Sequence, residues 1–533
     1  MKIAQASNAR SSRRLVLALL ALLAVNALLL LPLWWRDGAF SAWLIPELLL
    51  LPLLIGMVAS RWWPRVLAAI LCFALLALAG DALVREVLDR PLNLALDPLL
   101  LRAGYHFLAG SLGFLAALLI AIGAAVLVGL IVWSLNRLIC ASAALGSGAV
   151  GWLLAVTALM LVFSGTRFDG TPLLRPALVA LTSNQVSQVW ATLQAQARLL
   201  ERARQPRFQA QPIPAFAGRD VIVIFVESYG LSAWKQDDYR AVIEPVAVEA
   251  RRKLQSVDLE IMTTRLRSPI RGGQSWLAHA SLLSGQRIDN DLAFRQVLAS
   301  DQGFLSDDFA ATGHQTLVIA PAIVRPWPEA EALGFDHPYP AAALDFRGPG
   351  SGWVGVPDQF TLHRFSQLRS THTGPTFSLL MLISSHAPWL PGPPLLDDWT
   401  LLGQDQPWPD WTPPPRDRLV YLRDVDRLRA RYPESVAYSL SAVFDWAARD
   451  LTAGALLLVL GDHQPATLIT GSETSWDVPV HLIGRDASKL VARTGGFGFR
   501  PGVAPPPEVS RLGLEDLREW FRGRGSAAAN KPP

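Results

Sequence analysis

Cysteine is almost absent from this chain. Its 533 residues hold two, Cys72 and Cys140, both in or beside apolar runs. That excludes a disulfide framework and a cysteine zinc site. No cysteine follows Cys140, so cysteine usage is silent on the compartment of the C-terminal part. Charge is sparse as well. Asp, Glu, Lys and Arg make up 17% of the residues, and the net charge is +4. So small an excess over this length gives no case for nucleic acid. What the chain has instead is apolar residues, 51% of the total, with a mean hydropathy of +0.29. That is too apolar for an ordinary soluble enzyme, and the excess lies mostly before about Gly165.

Five apolar segments are long enough to cross a bilayer, which takes about 20 residues each. They are 15–35, 43–60, 66–84, 111–135 and 139–163. Lys2, Arg10, Arg13 and Arg14 precede the first, Arg61 and Arg65 separate the second and third, and Arg137 separates the fourth and fifth. Basic residues at alternate connections mark the cytoplasmic side. The first segment runs into Trp34-Trp35-Arg36 rather than a small-residue cleavage site, so it reads as an uncleaved anchor. An odd number of spans from a cytoplasmic N-terminus puts everything after about Ser164 outside. Asp81, near a membrane edge, reads as an interfacial carboxylate.

The expected division is a transmembrane domain over 1–165, an amphipathic connector and linker over 166–218, a catalytic domain over 219–525 and a tail over 526–533. The connector lies on the membrane or braces the outer domain, and Pro206, Pro212 and Pro214 mark the linker. The outer domain opens with Val221-Ile-Val-Ile-Phe-Val226, a continuous β-branched run expected of a buried parallel strand. Similar runs start at Thr316, Phe377 and Ala455, with helical patterns between them, as at 434–449. Strands alternating with helices predict an α/β fold with a mostly parallel sheet. Glu227, His386, Asp462 and His463 each stand just past such a run. Ligands of open α/β sheets bind outside the carboxyl ends of the strands.

The stretch from Arg271 to Gly285 carries the rest. Gly272 and Gly273 permit a tight turn, and a helix is predicted from Ser275 to Gly285. Ser275 has two readings: an N-cap, or a nucleophile beside the positive end of a helix. Glu227, Asp462 and His463 are suitable ligands for one divalent ion, with Ser275 as a further oxygen. Coordination activates a serine hydroxyl. His386 is placed to protonate a leaving alkoxide or hold a phosphate oxygen. His279, one turn after Ser275, points into the same site or packs on the helix.

These motifs resemble the alkaline-phosphatase/sulfatase superfamily over Glu227 to Val480. The resemblance is to its membrane-anchored lipoteichoic acid synthases and phosphoethanolamine transferases. Ser275 followed by Leu282-Leu283-Ser284-Gly285 has the spacing of the sulfatase signature, Cys-x-Pro-Ser-Arg-x-x-Leu-Leu-Thr-Gly. Phe225-Val-Glu-Ser-Tyr229 is similar to the strand that ends in a metal-binding Glu. Ser385-His-Ala-Pro388 is similar to an element whose His contacts substrate, Gly461-Asp-His463 to the metal-binding Asp-His pair, and Val478-Pro-Val480 to a late strand. Arg325 and Trp327 fall where the synthases carry an Arg and a Trp for the head-group phosphate, and Arg271 is a further phosphate clamp. Leu277 and His279 replace the Pro and Arg needed for formylglycine, which argues against sulfatase activity through a converted residue. The transferases mostly use Thr at Ser275, and many have disulfides that this chain lacks. Trp399, Trp408 and Trp411 are read as loop packing, with sugar stacking as the alternative.

The resemblance implies a sulfatase-like catalytic domain outside a bacterial-type inner membrane, with one divalent ion (Zn, Mn or Mg). A phosphoglycerol or phosphoethanolamine head group passes from a phospholipid donor to Ser275, then to a glycan or lipid-linked acceptor. The alternatives are a phosphate- or sulfate-ester hydrolase on the same scaffold and an inactive membrane scaffold.

Overall fold

The computed structural model describes residues 2–525 apart from 39–40, 59, 99–100, 102–103, 106–107, 110–112, 146–148, 165–166, 169–170, 173, 349–354, 413–423, 472–474, 496 and 509–510. The expected tail lies outside these residues. The chain divides into two compact units: Met1–Glu86 with Arg90–Gln194, and Val87–Asp89 with Ala195–Pro533.

The first unit is helical. Among the described residues, three helices are long and apolar enough to cross a membrane, over Ser12–Asp37, Trp63–Leu88 and Phe114–Ser142. They belong to α1 (Lys2–Asp37), α2 (Trp63–Leu88) and α3 (Phe114–Ser142). The second expected segment is instead a 3-10 turn, Pro46–Leu50, running into a short helix, Leu51–Met57. Pro46 and Pro52 each stand in the first turn of their element, where a missing N–H costs nothing. The fifth segment holds α4 (Ala149–Ser164), 16 residues long. Helix α3 runs past the expected stop at Leu135, because no Gly or Pro interrupts 136–145. Arg137 is therefore inside α3, near its end, and not in a connection. Asp81 is buried and paired with Arg36 at 2.7 Å and Arg85 at 2.9 Å. The amphipathic connector forms α5 (Ala177–Ala203), with Leu199 and Ala203 buried and Val186, Trp190 and Leu193 exposed.

The second unit is built on one eight-stranded sheet. In chain order its strands are β1 (Val221–Val226), β2 (Glu260–Arg267), β3 (Gln315–Ala320), β4 (His337–Pro340), β5 (Thr376–Leu382), β6 (Leu456–Gly461), β7 (Asp477–Gly484) and β8 (Arg500–Pro501). Their order across the sheet is β8-β2-β7-β6-β1-β5-β3-β4. β1 pairs in parallel with β5 and β6, and β3 in parallel with β5 and β4. β7 is antiparallel to both neighbours, as β8 is to β2. The Val478-Pro-Val480 motif thus sits on an antiparallel strand of a mostly parallel sheet.

Alternation along β1 shows why the run is apolar throughout. Val221, Val223 and Phe225 enter one core, with Leu277, Leu283 and Phe377. Ile222, Ile224 and Val226 enter another, with Ile243, Val436 and Val443. Both faces are covered, so no position is left for a polar residue. Helix α6 (Asp237–Gln255) and helix α8 (Val425–Asp450) cover the second face. Trp399 and Trp408 are buried there. Their indole N–H groups donate to Asp445 Oδ2 (2.8 Å) and the Pro394 carbonyl (2.9 Å), the packing reading of this loop.

The expected linker lies along the first face as a strap. Phe208, Ile213 and Phe216 are buried. The Gln211 N–H donates to Asp308 Oδ1 at 2.8 Å. Asp308, fully buried, is also paired with Arg518 (2.9 Å) and Arg522 (2.8 Å) near the C-terminal end. Two guanidinium groups and an amide around one carboxylate satisfy its lone pairs, which a buried charge requires.

Candidate active site

The shared direction of β1, β5, β6 and β3 sends four chain segments out over the same sheet edge. Glu227 follows β1, and Asp462 and His463 follow β6. Ser385 and His386 follow β5, and 321–327 follow β3. The exits are tied together. Ser385 Oγ donates to the Glu227 carbonyl at 2.6 Å, and Ser268 Oγ, beyond β2, to the Asp462 carbonyl at 2.6 Å. Gly461 closes β6 where a Cβ would stand 1.8 Å from the Tyr229 carbonyl, so a side chain cannot be placed there.

Ser275 arrives from the other side. Gly272 (φ 77°), Gly273 (φ 145°) and Gln274 (φ 68°) make a left-handed turn, and the Gly272 N–H is held by the Gln464 carbonyl at 2.8 Å. Helix α7 (Ser275–Ser284) starts at Ser275 itself, and Gln274 occupies the cap position. The N-cap reading of Ser275 therefore does not describe the structure. Its Oγ donates to Glu227 Oε2 at 3.0 Å and lies 3.2 Å from His463 Nε2.

Glu227, Asp462 and His463 are all buried, with one ligand atom from each within 4.8 Å of the others. The remaining atoms are committed. Asp462 Oδ1 accepts the N–H of Ser228 (2.8 Å) and of His463 (2.7 Å). His463 Nδ1 donates to the Gln464 carbonyl at 2.8 Å, which turns Nε2 toward Glu227 Oε1 (3.4 Å) and Asp462 Oδ2 (3.7 Å). Two buried carboxylates beside an imidazole whose far nitrogen is anchored form a donor set that fits a divalent cation.

Burial and mutual charge shift all three groups. Burial pushes Glu227 up, but the bond to His463 and the charges of His386 and His463 hold it well below the carboxylate range. Asp462 is pushed up to about 7 by burial and then by the Glu227 charge. Burial lowers His463, yet Asp462 and Glu227 carry it up to about 9. Protons thus supply the positive charge that an ion would supply.

The other expected residues divide. His386 is at this edge, where its charge acts on Glu227, and its Nδ1 donates to the Ala387 carbonyl at 2.6 Å. His279 is buried against Phe225 with ring centroids 4.4 Å apart, and burial lowers it to about 3. The charges of Glu227 and His463 also act on it. Arg271 is buried and donates to Thr470 Oγ1. Arg325 is exposed, and Trp327 packs against the first core. Ser228, Ser268 and Gln464 were not singled out from sequence. Ser228 acts through its hydroxyl and its N–H, Ser268 through its hydroxyl and Gln464 through its carbonyl, and only the adjacency of Ser228 to Glu227 gave a sign.

No family model matches the chain, and no curated protein matches it. Solved structures similar to it include the lipoteichoic acid synthase LtaP from Listeria monocytogenes, at 12% identity over 59% of this chain and 73% of that one, TM-score 0.37. The C-terminal periplasmic domain of phosphoethanolamine transferase EptC from Campylobacter jejuni is similar at 12% identity over 59% and 92%, TM-score 0.35. Streptococcus pyogenes phosphoglycerol transferase GacH in complex with sn-glycerol-1-phosphate is similar at 12% identity over 55% and 74%, TM-score 0.33. All three scores lie below 0.5, and what this chain does is read from its own residues.

Proposed function

We propose that this chain is a membrane-anchored, metal-dependent transferase of the sulfatase-like kind, moving a phosphoglycerol or phosphoethanolamine head group through a covalent adduct on Ser275. The observation that carries the reading is the position of Ser275 Oγ, at the head of α7 and within 3.2 Å of both Glu227 and His463. Glu227, Asp462 and His463, with Ser275 Oγ, would hold the ion. It would lower the proton affinity of the hydroxyl and stabilise charge on phosphorus. A mixed oxygen and imidazole set suits Zn or Mn better than Mg.

Ser275 Oγ attacks phosphorus, a P–Oγ bond forms, and the bond to the diacylglycerol oxygen breaks. His386 gives the leaving oxygen the proton that balances the one Ser275 loses. An acceptor hydroxyl on a glycan or lipid-linked glycan then attacks the same phosphorus and gives its proton to His386, the P–Oγ bond breaks, and Ser275 Oγ takes a proton back from water in place of the one it lost. The α7 N-terminus directs N–H groups toward the developing negative charge. The test is release of diacylglycerol from a labelled phospholipid, with and without a glycan acceptor. Transfer gives fast turnover only with acceptor. Equal turnover without it means a hydrolase, and none in either arm means an inactive scaffold.

The same reading puts the helical unit in a bacterial-type inner membrane, with the domain over 219–525 outside. Basic residues in the first turns of α1 (Lys2, Arg10, Arg13 and Arg14), at Arg61 and Arg65 and at Arg137 near the end of α3 support it. Reporter fusions after Arg65 and Leu145 are expected to read cytoplasmic, and one after Gly218 external. A cytoplasmic signal at Gly218 would overturn the external placement and weaken the case for a lipid donor.

A further inference from the structure

Ser228 has a backbone conformation that serine seldom adopts, φ 55°, and is 4% exposed. A left-handed non-glycine residue at a site costs energy and persists only when its surroundings over-determine it. Here they do. The Ser228 carbonyl accepts the Tyr432 hydroxyl at 3.0 Å and the Gly230 N–H at 2.9 Å. The preceding carbonyl, of Glu227, accepts Ser385 Oγ at 2.6 Å. The conformation makes one residue serve two carboxylates. Its N–H donates to Asp462 Oδ1 at 2.8 Å, and its Oγ turns back to donate to Glu227 Oε1 at 2.9 Å. Asp462 Oδ2 is left directed at His463, and Glu227 Oε2 at Ser275.

We propose that Ser228 is the positioning residue of this centre: its hydroxyl sets the torsion of Glu227 and its left-handed N–H sets that of Asp462, so that both carboxylates present their remaining oxygens to one divalent cation. Ser228 touches neither the ion nor the substrate. The inference rests on the metal reading above and adds the group that pre-arranges the ligands. An outer partner of a metal ligand typically contributes 10–100-fold in affinity.

The two functions of Ser228 are separable by substitution. Ser228→Ala removes the hydroxyl and keeps the N–H. Ser228→Thr keeps the hydroxyl but puts a β-branched residue at positive φ, which is strained. The full-length chain in detergent, stripped of metal, is titrated with Zn²⁺ against a chromogenic chelator, and the thermal midpoint of the stripped protein is measured alongside. Ser228→Ala is expected to bind Zn²⁺ about 10–100-fold more weakly with an unchanged midpoint. Ser228→Thr is expected to bind nearly as the native chain does, with a lowered midpoint. The proposal is overturned if Ser228→Ala binds as tightly as native. It is also overturned if affinity and midpoint fall together in Ser228→Ala, or if Ser228→Thr loses as much affinity as Ser228→Ala. A native chain that binds no Zn²⁺ takes down the metal reading itself, a result distinct from these.

Discussion

Ser275→Ala is expected to cut turnover by on the order of 10⁴ or more, the usual effect of removing a nucleophile that acts with its partners as a unit. The fold should be untouched. Ser275 is the first helical residue and not the cap, so alanine removes no capping bond and is itself a better helix former. The bonds lost are those to Glu227 and His463, both part of the site. Ser275→Thr should retain part of the activity, since it keeps a hydroxyl at the same place. Brief incubation of the native chain with phospholipid and no acceptor should leave an adduct on the peptide containing Ser275. Its mass identifies the head group, separating phosphoglycerol from phosphoethanolamine in one measurement. An adduct elsewhere, or near-normal turnover in Ser275→Ala, would remove Ser275 from the chemistry.

Glu227→Gln should be nearly as severe. The change is isosteric, so Ser228 and Ser385 keep their positions, but a buried negative charge at the centre of the cluster is gone. Zn²⁺ affinity should fall by more than the ~10–100-fold an outer-shell loss costs, and turnover should fall with it. The native chain offers an internal check through pH. Cation binding must expel the proton held by His463, raised to about 9, and the one held by Asp462, raised to about 7. Below these values protons compete with the cation, so affinity rises as pH climbs from about 6 toward 9. The proton released per Zn²⁺ bound can be read in weakly buffered solution. Full activity after chelation, or affinity that falls as pH rises, would contradict this account.

Much of the sheet domain was legible because a parallel sheet covered on both faces leaves an unbroken apolar run. β1, β5 and β6 carry that mark, and the polar residue ending each run marks the edge where ligands gather. Glu227, Asp462 and His463 were found that way. Of the two readings of Ser275, capping is set aside only by the structure, because sequence does not show that Gln274 is left-handed and takes the cap position itself. His279 had two readings at equal spacing, and the structure adds its contact with Phe225 beside the charges of Glu227 and His463. In the helical unit, composition marks apolar stretches but not their breaks. The second stretch is helical only over Pro46–Met57, while α3 continues through Arg137 because an isolated charge does not end a helix. The conformation of Ser228 is set by groups far along the chain, at Ser385, Tyr432 and Asp462, and no local pattern announces it.

The strap formed by 206–216 bears on where the chain can be cut. A soluble fragment beginning at Asp220 would follow the composition boundary, yet it would strip Phe208, Ile213 and Phe216 from the core. It would also remove the backbone N–H of Gln211 from the carboxylate of Asp308. Losing one large buried apolar side chain typically costs about 2–5 kcal/mol, and here three go at once. A fragment beginning ahead of Pro206 keeps them. Limited proteolysis should likewise spare this proline-rich stretch, whose apolar side chains are sealed into the domain that follows.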